Sequence, residues 1–191
     1  MRKRDLPVCA FASASALGDW LSEHHARSPG FWLKIPKKGS GEQGPTYVEA
    51  VAEALRFGWI DSQKDKLDDA FYLQRLTPRT ARSKWSKINR ETATALIAAG
   101  RMEPAGQAQV DAARKDGRWD AAYDSQATAT VPPDFQEALD QNPAARAFFE
   151  KLNSRNRFAM LYRIQEAKRE ATRTRRIETF VAMCERGEPI Y

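Results

Sequence analysis

The sequence predicts an α+β fold: a small mixed sheet packed with helices in an N-terminal lobe, followed by an all-helical C-terminal lobe. Three observations predict it. Segments that read as strands fall only between Phe31 and Leu76. Helix punctuation by capping residues, prolines and glycines runs through the whole chain, and from Pro104 onward it stands alone. A hydrophobic fraction of 42% with 10% aromatic residues supplies the apolar surface that offsets ordering entropy, which excludes a disordered chain. At 191 residues the expected organisation is an α+β lobe over residues 1–100, a helix and linker over 101–130, and a basic helical module over 131–191.

Ser13 or Ser15 caps a first helix, in which Leu17, Trp20, Leu21 and His24 share one face, and Gly30 ends that unit. Phe31, Leu33 and Ile35 alternate with polar or outward residues, so this segment is a strand that runs into Pro36-Lys37-Lys38 and a glycine-rich turn. Thr46 and Glu49 form a capping box for a second helix, with Val48, Val51, Ala52 and Leu55 as its inner face and Gly58 beyond its end. Trp59-Ile60-Asp61 starts a short strand; the polar segment Gln63 to Asp69 joins it to a second apolar run, Ala70 to Leu76, as a hairpin.

Ser83 or Ser86 caps a third helix that carries Ile88, Ala95, Leu96 and Ala99 inward until Gly100. Pro104 opens a fourth that Gly117 breaks; Trp119 and Tyr123 anchor the stretch before a Ser/Ala/Thr-rich linker at 125–130, the candidate lobe boundary. Pro132-Pro133 and Asn142-Pro143 open two more helices. In the last segment Met160, Ile164, Ala167, Ala171, Ile177, Val181 and Cys184 form one helical seam, with Arg169, Arg173 and Arg176 on the opposite face.

Met1-Arg2-Lys3-Arg4-Asp5 is basic, but no apolar run of signal-peptide or membrane-spanning length follows. Membrane insertion is therefore not expected, and two thiols without metal or redox spacing, Cys9 and Cys184, fit a reducing cytoplasm. The formal charge is +6, and residues 151–191 hold ten basic against five acidic side chains. That asymmetry fits an anionic partner such as nucleic acid, and equally a solvated helix face.

The chemistry-bearing motifs are few. There is no phosphate loop, dinucleotide fingerprint, nucleophile elbow or zinc-type histidine pair, so no cofactor and no metal is expected; the two histidines, His24 and His25, are adjacent and diverge on their helix. The richest stretch is 70–90, with six basic residues and no acid. Its hydroxyls stand at a helix entry whose free N–H groups favour an anion, which makes Arg79, Ser83, Trp85, Ser86 and Asn89, flanked by Trp59 and Asp61, a candidate ligand cleft. The same residues also serve a purely structural reading, with the serines as caps, Trp85 as core and Asp61 in an ion pair with Arg79. An enzyme reading makes Asp61 the general base and Arg79 the clamp on a small anionic substrate. A third reading gives Arg169, Arg173 and Arg176 to nucleic-acid phosphates, against which Glu166, Glu170 and Glu178 offer self-neutralising partners.

The segments Tyr47-Val48-Glu49-Ala50-Val51, Phe57-Gly58-Trp59-Ile60-Asp61-Ser62, Leu76-Thr77-Pro78-Arg79, Ser83-Lys84-Trp85-Ser86-Lys87-Ile88-Asn89, Gly100-Arg101-Met102 and Gly117-Arg118-Trp119 stand in an order that resembles the YdeI/OmpD-associated family, described as bacteriocin-protection proteins. The stretch Ala167 to Ile177 is similar to that family's helical tail, and the likeness runs from about Trp20 to Gly187. Ser62 stands where the family pattern has glycine. The resemblance implies a bacterial, soluble protein of two-part layout, with protection against bacteriocins or association with a porin suggested by the family's name, and it carries over no catalytic residue. Joined to the cleft above, the expectation is a non-enzymatic stress or bacteriocin-protection protein that binds an anionic ligand or a protein partner.

Overall fold

The computed structural model describes residues 6–191, and the basic start Met1 to Asp5 lies outside them. The elements are β1 (Val8–Cys9), α1 (Ala14–His24), β2 (Phe31–Pro36), α2 (Tyr47–Arg56), β3 (Trp59–Lys66), β4 (Phe71–Pro78), α3 (Lys87–Ala98), α4 (Pro104–Lys115), α5 (Pro133–Asp140), α6 (Pro143–Lys151), α7 (Ser154–Gln165) and α8 (Glu170–Glu185). This is the expected α+β class, with every strand in the N-terminal half. Contacts divide the chain into two units. One runs to Trp85 and resumes over Asn89–Ala122; the other comprises Ser86–Ile88 and Tyr123–Tyr191.

The sheet has the order β1-β2-β4-β3, with β1 parallel to β2 and the other pairs antiparallel. Residues paired across strands share a face. Phe31, Leu33 and Ile35 oppose Leu76, Gln74 and Tyr72, and this face meets α1 and α2 in a core of Leu17, Leu21, Ala50, Ala54, Phe57 and Trp59. The hairpin strands are longer than the apolar runs alone suggest, because β3 keeps pairing through its polar half to Lys66. Gly30 bends the chain into β2 with φ +127, and a Cβ there would lie 2.6 Å from the carbonyl oxygen of Leu76, so only glycine fits.

Ser13 caps α1, accepting from the amide of Ala16, and the capping box of α2 forms in both directions. The amide of Thr46 donates to Glu49 at 2.9 Å, and that bond holds the Glu49 carboxyl below its ordinary range. The inner face of α2 differs from the expected one. Val48 is 73% exposed, whereas Ala50, Val51, Glu53, Ala54 and Leu55 are buried. The helix is covered on two sides: Ala50 and Ala54 meet the sheet core, while Val51 and Leu55 meet a helical core with Trp85, Ala93, Leu96, Val110, Ala113 and Trp119. A single-stripe periodicity describes a helix with one wet face, which α2 lacks. The buried carboxylate of Glu53 is satisfied by Arg56 Nη1 at 2.5 Å and Arg101 Nη2 at 3.3 Å, while Arg56 Nη2 reaches Glu103 at 3.0 Å.

In α3 only Ala93 and Leu96 are buried; Ile88 is 50% exposed, and Ala95 and Ala99 face solvent. Pro104, Pro133 and Pro143 each stand in the first turn of their helices, where the missing N–H is harmless. The expected continuous seam after Met160 is two helices: α7 ends at Gln165 and α8 starts at Glu170. Met160, Ile164, Ile177, Phe180 and Cys184 enter a third core with Phe135, Leu139, Ala145 and Phe149. No described helix is long and apolar enough to cross a membrane.

Candidate functional site

A β-bulge in β3 organises the candidate site. Asp61 pairs with Leu76, and the next registered pair is Lys64 with Gln74, so three residues on β3 span two on β4. In a regular strand Asp61 and Lys64 would point to opposite faces; the extra residue brings both to the helix-covered face. The bulge carbonyl of Gln63 accepts a hydrogen bond from Gln74 Nε2 at 3.1 Å, which gives the buried Gln74 amide a partner in the middle of an apolar strand.

A cavity of about 400 Å³ opens beside the bulge, lined by Tyr47, Asp61, Ser62, Lys64, Tyr72 and Gln74. Tyr47, the first residue of α2, donates its hydroxyl to Asp61 Oδ2 at 2.7 Å. Lys64 Nζ lies 3.9 Å from the centre of the Tyr72 ring, a cation–π contact. Burial pushes the Tyr72 phenol up from its ordinary value, so it remains an O–H donor across neutral pH. Among the described residues no ion pair joins Asp61 to Lys64. The cavity therefore presents a carboxylate, an ammonium and phenolic hydroxyls to the same space.

The residues expected to share one cleft are dispersed. Asp61 lines the cavity, but Arg79 does not. Arg79 is 5% exposed; its guanidinium stacks 3.7 Å over Trp85 and its Nη1 donates to the carbonyl of Lys84, because the loop after β4 folds back over it. Ser83 does not cap α3: its hydroxyl accepts from the amide of Thr80, closing the turn. Trp85 sits in the helical core against Trp119, and Trp59 in the sheet core, donating its indole N–H to the carbonyl of His25 at 3.3 Å. Ser86 belongs to the second unit, bridged to Tyr123, and Asn89 is half-buried at the start of α3. Lys64, Tyr72 and Gln74 were not anticipated. The available signal was Gln74, an amide on the same face as Tyr72 and Leu76 within an otherwise apolar run.

The three C-terminal arginines have separate fates. Arg169 is the residue before α8 and exposed. Arg173 forms a two-pronged contact with Asp134 at 2.6 and 2.8 Å and gives Nη1 to the carbonyl of Ile164; Arg176 donates to the carbonyl of Arg163. These two add side-chain donors to the last turn of α7, where the carbonyl of Ile164 also accepts from the amide of Ala167. The carboxylate that Arg173 meets is Asp134 from α5 and not a glutamate of its own helix. Cys9 and Cys184 are free thiols; burial pushes Cys184 up to about 11, which keeps it protonated at neutral pH. No group of three or more His, Cys, Asp or Glu side chains suited to a metal occurs among the described residues.

Comparison with known proteins gives two family matches. Residues 9–109 match a family described as Domain of unknown function (DUF8412), and residues 128–187 match the family described as Bacteriocin-protection, YdeI or OmpD-Associated. The cavity and the motifs around Gly58-Trp59-Ile60-Asp61 fall within the first match, and the helical tail within the second. No curated protein and no solved structure matches the chain significantly. With one model covering more than half of its length, this chain belongs to the DUF8412 family, and its helical end, residues 128–187, is similar to the family described as Bacteriocin-protection, YdeI or OmpD-Associated.

Proposed function

We propose that this chain serves bacteriocin protection by binding rather than by turnover, and that its N-terminal unit takes a small dipolar ligand with an anionic group in the cavity beside the β3 bulge. The observation that carries this reading is the placement of Asp61 and Lys64 on one strand face without pairing to each other. A ligand ammonium or hydroxyl meets Asp61, a ligand carboxylate or phosphate meets Lys64, and Tyr72 offers a phenolic edge beside Lys64. Tyr47, itself exposed, adds an aromatic edge to the lining.

Thermal unfolding of the full chain with amino acids, dicarboxylates and inorganic phosphate tests it. Zwitterionic amino acids are expected to stabilise the protein, by about 2.7 kcal/mol at a hundredfold excess over Kd. Asp61→Asn and Lys64→Met each remove that shift. A flat response to every ligand, or a shift that survives both substitutions, refutes the reading.

One contact favours an enzymatic alternative. The Tyr47 hydroxyl at 2.7 Å from Asp61 forms an acid–base couple opening on the cavity. Arg79, stacked on Trp85 outside that cavity, is not available as its clamp, so Lys64 takes that role in this version.

A further inference from the structure

The second unit holds a groove of about 360 Å³ between α5 and α8. Its lining has an apolar part, Ala138 of α5 with Ile177, Val181 and Ala182 of α8, and a polar end, Gln141 and Asn142 at the turn between α5 and α6. Its rim carries Glu178 and Glu185, both exposed. Neither carboxylate forms an ion pair among the described residues: Arg173 is committed to Asp134, Arg176 to a carbonyl and Arg186, just past α8, to Glu188, while Arg175 stands one turn before Glu178. Glu185 contributes only its field to Arg186. An acidic strip beside an apolar patch thus lies on α8, a helix whose own charges balance at three arginines against three glutamates.

Glu178 and Glu185 are seven residues apart on one helix, which places them roughly 10 Å apart along its axis on the same side. The groove has helical walls, the setting into which a further helix packs its ridge of side chains. We propose that this groove docks a cationic amphipathic helix of a partner protein, with Lys or Arg residues one heptad apart facing Glu178 and Glu185 and small or branched apolar residues lying on Val181 and Ala182. Charge complementarity selects this occupant. Nucleic acid and anionic lipid are repelled by the same two carboxylates, and an acidic helix is repelled likewise.

Fluorescence anisotropy tests this with a labelled helix-forming peptide of about four turns bearing a leucine stripe and two lysines seven residues apart, added to the full-length chain. The expected result is saturable binding that weakens with added salt. Glu178→Lys with Glu185→Lys is expected to weaken it at least about tenfold. Ala182→Arg, which fills the floor and adds a like charge, abolishes it, while circular dichroism confirms that both variants stay folded. The matching peptide with glutamates in place of the lysines is expected not to bind. Equal binding of the two peptides, or affinity unchanged in the Glu178→Lys, Glu185→Lys protein, overturns the proposal. Self-association that this double variant abolishes, without peptide binding, overturns it in favour of a second copy of the chain.

Discussion

Gln74 has two tasks at one position. Its amide satisfies the carbonyl that the bulge leaves outside the ladder, and its side chain forms part of the cavity lining. Gln74→Leu is expected to preserve the shape of the strand but to leave a poorly solvated carbonyl without a donor. The expected cost is about 1–3 kcal/mol, measured by chemical denaturation, together with loss of ligand-induced stabilisation. Gln74→Glu separates the two effects, since it cannot donate from a carboxylate yet keeps a polar group in the cavity. At this scale the sequence was only partly legible. Asp61 was visible as the polar residue directly following an apolar strand start. Lys64 was not, because it falls in the polar segment that reads as the hairpin connection, whereas β3 continues through it and the bulge sets it on the same face as Asp61. Arg79 misled because a strand-end arginine in a basic, hydroxyl-rich loop reads as an anion clamp, and the stacking that buries it on Trp85 is a tertiary event.

Among the elements, the junction of α7 and α8 owes much to side chains borrowed from elsewhere in its unit. Arg173 joins three helices, reaching Asp134 in the first turn of α5 and the end of α7 from its place in α8. The bond from Arg173 holds the Asp134 carboxyl below its ordinary range. A depressed folded-state value means that the stabilisation is present above the unfolded pKa of about 3.9 and is lost as pH falls through the folded one. Acidification below about pH 4 is therefore expected to weaken the second unit, and Asp134→Asn to remove that component of the pH dependence. Arg173→Ala is expected to cost about 1 kcal/mol at neutral pH, since solvent screens much of this half-exposed pair; urea unfolding checks it. The break itself was illegible. Lys168-Arg169 contains neither proline nor glycine, and Arg169 is a poor N-cap by residue type, so the periodicity ran straight through it. Where local chemistry was decisive, as in the Thr46–Glu49 box or the first-turn prolines, the sequence reading and the structure agree.

Across the whole molecule the α+β class and the order of elements from α1 to α6 were readable, because strand alternation and helix punctuation are local signals; the two-residue β1 and the α7–α8 break were not. The division of the core was not. Three separate clusters of buried side chains exist, two sharing α2 within the first unit and one confined to the second. A helix packed on both sides loses its single stripe, which is why Val48 was wrongly placed on the inward face of α2 and Ala50 and Ala54 were missed, while Val51, Leu55 and the helix ends were placed well. The third cluster draws only on residues of the second unit, so its stability should be separable from the first unit's. Phe135 is fully buried there and stacks edge-on with Phe149, their ring centres 5.2 Å apart. Phe135→Ala is expected to leave a cavity and destabilise that cluster by about 3–5 kcal/mol. Hydrogen exchange read by mass spectrometry locates the loss: amides of α5 to α8 should exchange faster, those of β2 and β4 should not, and the ligand-induced shift at the Asp61 cavity should persist. Faster exchange in β2 and β4 to the same degree would mean that the cores unfold as one cooperative body, and that the physical boundary between them is weaker than the separation of buried residues implies.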